Sequence, residues 1–486
     1  MTFVSDLDPK DLWQHFDHIL TIPRGSKNEQ QMADYIMEVA KRNNLTYKKD
    51  DAGNIVVKKA ATPGCENTPI TILQAHMDMV NEKNADVQHD FSKDPIIPRK
   101  DGEYLCATGT TLGSDNGIGM AMSLAVMESK TMKHGPVELL FTMDEETGLT
   151  GASSLHDDML EGKTLINLDT EEEDALYVGC AGGAGVNISV NLQTEAAPAG
   201  HEALQLKLHG LKGGHSGVDI HLQRGNAVKL LARALVAVAK EHSFRLADIH
   251  GGNMHNAIPR EAFATVLVSA SHKNGFETSF KKYMSNIEAE YKPAEPTMQF
   301  STDSAAGVTS VYTESLQTNI LNLLNALPHG VIAMSYDIPE LVETSSNLAS
   351  VKISNGIMVI HVSNRSSVDS AIEALQQRVV SIGELAGADV QEVEGYPGWK
   401  PDLNSHILKI AEQVHIDELG RKPEIKAIHA GLECGIIGEK YPGMDMVSLG
   451  PQIEFPHSPD ERVRIESVAN FYKLVVGILE KVGQGN

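Results

Sequence analysis

The chain has 486 residues, a formal charge of −24 and 41% hydrophobic residues. That length allows two or more domains, and the composition is that of a soluble globular protein rather than a disordered one. The acidity, with no basic face evident, argues against nucleic-acid binding, since phosphate neutralisation needs clustered Lys and Arg.

No apolar run approaches the ~20 residues that span a bilayer, so no membrane partner is expected. The first ten residues lack the basic and apolar regions of a signal peptide. Cys65, Cys106, Cys180 and Cys434 are scattered and form no Cys-x-x-Cys. A reduced, cytoplasmic setting fits them better than a disulfide scaffold, and they supply no soft metal site.

In chain order, Asp8 to Thr21 reads as a helix with Asp8 as N-cap and Pro9 at the first helical position. Lys27 to Arg42 is a second amphipathic helix. Asn54 to Lys59 and Ile70 to Ala75 read as strands, and Asn116 to Glu128 as an apolar helix opening directly after Asp115. Val137 to Met143 and Thr164 to Leu168 have the continuous apolar character of buried strands. Strands alternating with helices predict an α/β fold with a doubly wound, mainly parallel sheet.

The glycine-rich run Gly179 to Gly185 then breaks the pattern. Val186 to Leu192 and Ala203 to Leu208 alternate apolar and polar residues, as half-exposed strands do. Helical stretches follow at Asn226 to Glu241, Phe276 to Tyr291 and Asp369 to Leu385. The polar segment Pro293 to Ser304 reads as a loop, and Tyr396-Pro-Gly-Trp-Lys-Pro401 as a return linker. The expectation is a discontinuous catalytic domain, 1–186 and 395–486, with an α+β domain inserted at 187–394. No internal repeat is evident.

Five residues bearing carboxylate or imidazole groups fall just past apolar runs or in loops. They are His76, Asp115, one acid of Asp144-Glu145-Glu146, Asp169 and His457. The carboxyl ends of strands in an open α/β sheet are where ligands gather. Two imidazoles and three carboxylates there suit a pair of divalent metals and metal-assisted hydrolysis. Each signal alone has a plainer reading. Asp115-Asn116-Gly117 suits a turn and helix cap, Asp169 suits a turn cap, and His457 lies between prolines in what reads as an exposed loop. Asp78, two residues past His76, suits the carboxylate that orients a ligating imidazole. Glu145-Glu146 follows an apolar strand, and adjacent side chains diverge, so one carboxylate can bind metal while the other stays free as a general base. Asp144-Glu145 is an equally adjacent pair, and the residues alone leave that register open.

His76-Met-Asp78, Gly113-Ser-Asp115-Asn-Gly-Ile-Gly119, Asp144-Glu-Glu-Thr-Gly148, Asp169 and His457 together resemble the metallopeptidases that include carnosinases, aminoacylases and glutamate carboxypeptidases. Longer stretches extend the likeness over nearly the whole chain. They are Gln74 to Val80, Leu211-Lys-Gly-Gly-His-Ser-Gly217, Asn256 to Ala264 and His429-Ala-Gly-Leu-Glu-Cys-Gly435. The resemblance implies two zinc ions per chain, with cobalt or manganese able to substitute. His76 and Asp169 would hold one, Glu146 and His457 the other, and Asp115 would bridge them with a water or hydroxide. It sets the acidic register at Glu145-Glu146, with Glu145 as general base and Asp78 orienting His76. Asp144 departs from the commonest form of that motif.

The inserted domain would be a lid. His215 would stabilise the oxyanion, either in its own site or in a partner's. Asn256 and Arg365 would hold the substrate's carboxyl end, and Gly431 and Glu433 would lie near its amino end. The implied reaction is hydrolysis of unblocked dipeptides such as β-alanyl-histidine, by a homodimer paired through the lid. An aminoacylase or carboxypeptidase on the same scaffold is the nearest competing expectation. A non-catalytic metal-binding protein is a different class, opposed by the complete ligand set. Nucleotide binding by Gly179 to Gly185 lacks the required fingerprint.

Overall fold

The computed structural model describes residues 2–485. The chain forms two compact units. One runs to Gly179 and resumes over Pro401–Ala427 and from Leu432 onward. The other comprises Cys180–Lys400 and Ile428–Gly431.

The first unit is built on an eight-stranded sheet. Its centre is four parallel strands, in the order Val137–Thr142, Thr71–His76, Thr164–Asn167 and Asp445–Ser448. Val137–Thr142 and Thr71–His76 are buried along their whole length, which is why they read as continuous apolar runs. Ile55–Lys59 joins one side of this centre and Ala175–Cys180 the other, both antiparallel. The fold is thus mixed α/β with a parallel core. Among the described residues no helix is long and apolar enough to cross a membrane.

A buried polar ladder crosses the parallel strands near their carboxyl ends. Ser448 Oγ donates to Asn167 Oδ1, Asn167 Nδ2 to Gln74 Oε1 at 2.5 Å, and Gln74 Nε2 to Thr142 Oγ1 at 3.2 Å. Gln74 and Thr142 both donate to Glu433 Oε2, at 2.6 and 2.7 Å. Strand side chains repeat every two residues, so Gln74 and Asn167 lie on the same face as His76 and Asp169, one step beneath them.

The second unit carries a nine-stranded sheet whose recorded pairings are all antiparallel, as an α+β domain should. Apolar residues of the strands Gly182–Asn191, His201–His209 and Ala262–Ser269 pack with the helices Ala227–Val238, Lys273–Tyr291 and Glu314–Ala326 in one core. The Asn226 side chain caps the first of these helices, accepting from Val228 and Lys229.

Three local expectations need correction. Pro9 is extended (φ −78°, ψ 131°) and is itself the N-cap, so the first helix is Lys10–Ile19 and Asp8 makes no cap bond. Pro293 to Ser304 is not all loop, because Gln299–Ser304 is a polar edge strand paired with His201–His209. The glycine-rich run does mark a change of unit, which falls between Gly179 and Cys180, and its later glycines open the strand Gly182–Asn191. Tyr396 ends the strand Asp389–Tyr396, and Trp399 bridges to Cys180 through reciprocal backbone bonds, so the return linker is tied to the sheet.

Candidate active site

His76 ends its strand with the imidazole buried. Its Nε2 lies 2.9 Å from Asp115 Oδ1 and 3.1 Å from Asp169 Oδ1. His457 Nε2 lies 3.2 Å from Asp115 Oδ2 and 3.0 Å from Glu146 Oε2. The two trios His76–Asp115–Asp169 and Asp115–Glu146–His457 each gather ligand atoms within 4.8 Å and share only Asp115. Each Asp115 oxygen faces a different histidine, which is the arrangement a bridging carboxylate requires.

The donor set fits two divalent cations of the zinc, cobalt or manganese kind: imidazole nitrogen and carboxylate oxygen, with no thiolate. Glu146 Oε1 is buried without a partner, an atom that a cation would satisfy. The charge balance points the same way. Hydrogen bonds to Asp115 and Glu146 drive His457 up to about 11. Burial opposes protonation of His76, yet Asp169 and Asp115 hold it well above its usual range. Both histidines respond to negative charge that calls for a positive counterpart.

Asp78 lies beside His76 Nδ1, with Oδ1 at 3.3 Å. It also accepts the backbone N–H of Glu145 at 3.0 Å, that of Glu146 at 3.2 Å and the Ser26 hydroxyl at 2.8 Å. Burial pushes its carboxyl up, but these bonds and the adjacent imidazole bring it to about 2. Asp78 therefore sits between the His76 imidazole and the acidic turn whose N–H groups it accepts. Glu145 falls in a third grouping with His76 and Glu146. Burial, reinforced by Asp169, Glu146 and Glu433, raises it well above the ordinary carboxyl range. Asp144 (φ 46°) and His457 (φ 57°) occupy left-handed backbone, the local strain common at functional sites.

Three residues of this site carry no motif in the sequence. Buried Arg24 donates through Nη1 to the carbonyls of Met77 at 3.2 Å and Asp78 at 2.5 Å, and through Nη2 to that of Gly113. Buried Glu461 accepts the N–H groups of Leu112, Gly113 and Ser114, at 2.7, 2.9 and 2.8 Å. Buried Glu29 accepts the N–H of Asp144 at 3.1 Å. These residues fix the loops that present Asp78, Asp115 and the acidic pair. The long-range bonds themselves leave no local trace.

Glu433 is fully buried at the base of the polar ladder, its Oε1 has no partner, and burial drives it up to about 8.

In the second unit, His215 Nδ1 accepts the N–H groups of Gly217 and Val218, at 3.2 and 3.0 Å. This assigns the ring proton to Nε2. Burial, with Arg365 nearby, lowers its pKa to about 4. His215 is thus a neutral Nε2–H donor. Asn256 accepts the Ser216 N–H on its carbonyl at 2.8 Å, and the next residue, Ala257, bridges to His215. Arg365 is 7% exposed and donates to the Tyr396 hydroxyl at 2.9 Å, while its Nε is unpartnered. Gly431 lies against the Tyr396 ring, where a Cβ would come within 2.8 Å.

The sequence profile described as peptidase family M20/M25/M40 matches residues 72–481. The cytosol non-specific dipeptidase of Escherichia coli (strain K12) is 44% identical over 482 residues, covering 99% of each chain. The crystal structure of aminoacylhistidine dipeptidase from Vibrio alginolyticus superposes with a TM-score of 0.92 at 45% identity, covering 99% of this chain and 98% of that one. An aminopeptidase from Bacillus cereus shares the fold at a TM-score of 0.57 and 17% identity, covering 98% of this chain and 99% of that one.

Proposed function

We infer that this chain, which belongs to peptidase family M20/M25/M40, is a metal-dependent dipeptidase. The observation that carries the reading is Asp115 set between two histidines, one to each oxygen, in a chain 44% identical along its length to a dipeptidase.

In this reading His76 and Asp169 would hold one zinc ion, Glu146 and His457 would hold the other, and Asp115 would serve both. Cobalt or manganese would serve the same donors. When bound, such a pair lowers the pKa of a water and polarises the scissile carbonyl. Asp78 fixes His76 for this task. Glu145 takes the proton of the attacking water and returns it to the leaving amine. His215 donates its Nε2–H to the oxygen on which negative charge develops. Asn256 and Arg365 hold the carboxyl end of the dipeptide, since a planar guanidinium matches a carboxylate. Gly431 and Glu433 bound the region of its amino end.

The preferred substrates are Xaa-His dipeptides such as β-alanyl-histidine. The enzyme works in the cytoplasm, a setting supported by the cytosolic description of the relative. It pairs as a homodimer through the unit that carries His215.

The test is release of histidine from β-alanyl-histidine by zinc-loaded protein, with a chelated aliquot as control. Release that chelation abolishes is the expected result. No release on any unblocked dipeptide, from protein containing two metals per chain, would overturn the reading.

A further inference from the structure

Arg365 lies in a row of residues directly opposite one another on four neighbouring strands. Tyr396 faces Gly183, Gly183 faces Arg365, and Arg365 faces Ser345. Residues opposed in this way project to the same side of a sheet. Gly183 has no side chain, and that gap lets the Tyr396 ring pass across it to the guanidinium. A Cβ on Gly183 would lie 2.7 Å from the ring carbon Cε1. Gly431 closes on the other edge of the ring. At the far end of the row, Ser345 Oγ meets His429 Nε2 at 2.7 Å. Four distant segments therefore converge on one guanidinium: the glycine-rich run, Ser363-Asn-Arg365-Ser-Ser, Gly395-Tyr-Pro-Gly398 and His429-Ala-Gly431.

The charge pattern around Arg365 is unusual. A buried guanidinium ordinarily sits against a carboxylate. Among the described residues Arg365 has no such partner, and its one side-chain bond is to a phenol. A neutral acceptor fixes the direction of one nitrogen without cancelling the positive charge. A carboxylate in the place of Tyr396 would cancel it and compete with any incoming anion. The flanking histidines are held neutral and add no competing charge. Burial and then Arg365 lower His429 to about 3, and the same two causes bring His215 to about 4.

We propose that Tyr396 is a positioning residue for substrate selection: reaching through the gap at Gly183, it aims the uncompensated Arg365 guanidinium at the free carboxylate of the dipeptide. The inference rests on the reading that Arg365 receives that carboxylate. It accounts for a motif that otherwise serves only as a connection between the units.

The test compares wild-type, Tyr396→Phe and Arg365→Ala proteins, metal-loaded. β-Alanyl-histidine is the substrate, and its C-terminal amide is a second substrate or a competitive inhibitor. Phenylalanine keeps the ring on Gly183 and Gly431 and removes only the hydroxyl. Tyr396→Phe is expected to raise KM for the free acid about tenfold, the scale of one hydrogen bond to a charged group, with kcat within about twofold. Binding of the amide should be unchanged. An unchanged KM for the acid, or equal losses on acid and amide, would overturn the proposal for Tyr396. If Arg365→Ala retains the preference for acid over amide, the underlying assignment of Arg365 fails, and the proposal with it. If Arg365→Ala abolishes the preference while Tyr396→Phe preserves it, Arg365 stands and the role of Tyr396 alone is refuted.

Discussion

A single carboxylate oxygen of Glu461 takes both the backbone N–H of Ser114, at 2.8 Å, and its hydroxyl, at 2.5 Å. Ser114 immediately precedes Asp115, so Glu461 fixes the backbone that presents the bridging ligand. Glu461→Gln keeps the shape but turns one acceptor into a donor facing N–H groups. Leaving buried donors unpaired costs about 1–3 kcal/mol each. The variant should lose about 2 kcal/mol or more in urea unfolding and bind metal more weakly. Unchanged stability and metal affinity would show that the loop holds its shape without Glu461.

Metal stoichiometry tests the shared ligand. Asp169→Asn and His457→Ala each take one anionic or imidazole ligand from one trio, whereas Asp115→Asn weakens both. Elemental analysis after dialysis should find about one metal per chain in the first two variants, and clearly less in Asp115→Asn, if both trios hold metal. Equal losses in all three would argue against bridging.

Glu145→Gln should keep its metals and lose turnover by at least ~100-fold, the low end of general acid–base effects. Single-turnover kinetics on metal-analysed protein checks this. A near-normal rate would move the proton-transfer role elsewhere, with Asp144 the first candidate.

Much of this site is legible in the sequence because strand geometry writes it there. An acid or histidine at the end of an apolar run is conspicuous, and His76, the acidic run Asp144-Glu145-Glu146 and Asp169 were marked that way. Arg24 and Glu461 were not. Arg24 reaches a carbonyl 89 positions away, and Glu461 reaches an N–H 349 positions away. Such pairings depend on the whole chain path and leave no spacing to read. The helix start slipped by one residue because Asp8-Pro9 satisfies the composition of a cap while Pro9 is extended. Gln299–Ser304 looked like loop because an edge strand needs few apolar residues.

Asp78 should make acid stability measurable. Its folded pKa, about 2, lies below the unfolded carboxyl value. A depressed pKa contributes stability that is present above the unfolded value near 4 and is lost as pH falls towards 2. The expected contribution is about 2 kcal/mol. Urea unfolding of metal-free protein at pH 6 and pH 3 should show a larger drop for wild type than for Asp78→Asn. Parallel drops would remove Asp78 from the account.

The polar ladder beneath the ligands has a consequence for the timing of synthesis. Gln74, Thr142 and Asn167 are made early, but their partner Ser448 comes from the far side of the inserted unit. His457 and Glu461 follow it. A nascent chain therefore carries the first strands of the catalytic sheet with neither the complete ladder nor the second histidine. The ladder, the pairing of His457 with Asp115 and the Glu461 bonds can all be in place only once the chain through Glu461 has been made, so a product that stops before Ser448 lacks all three.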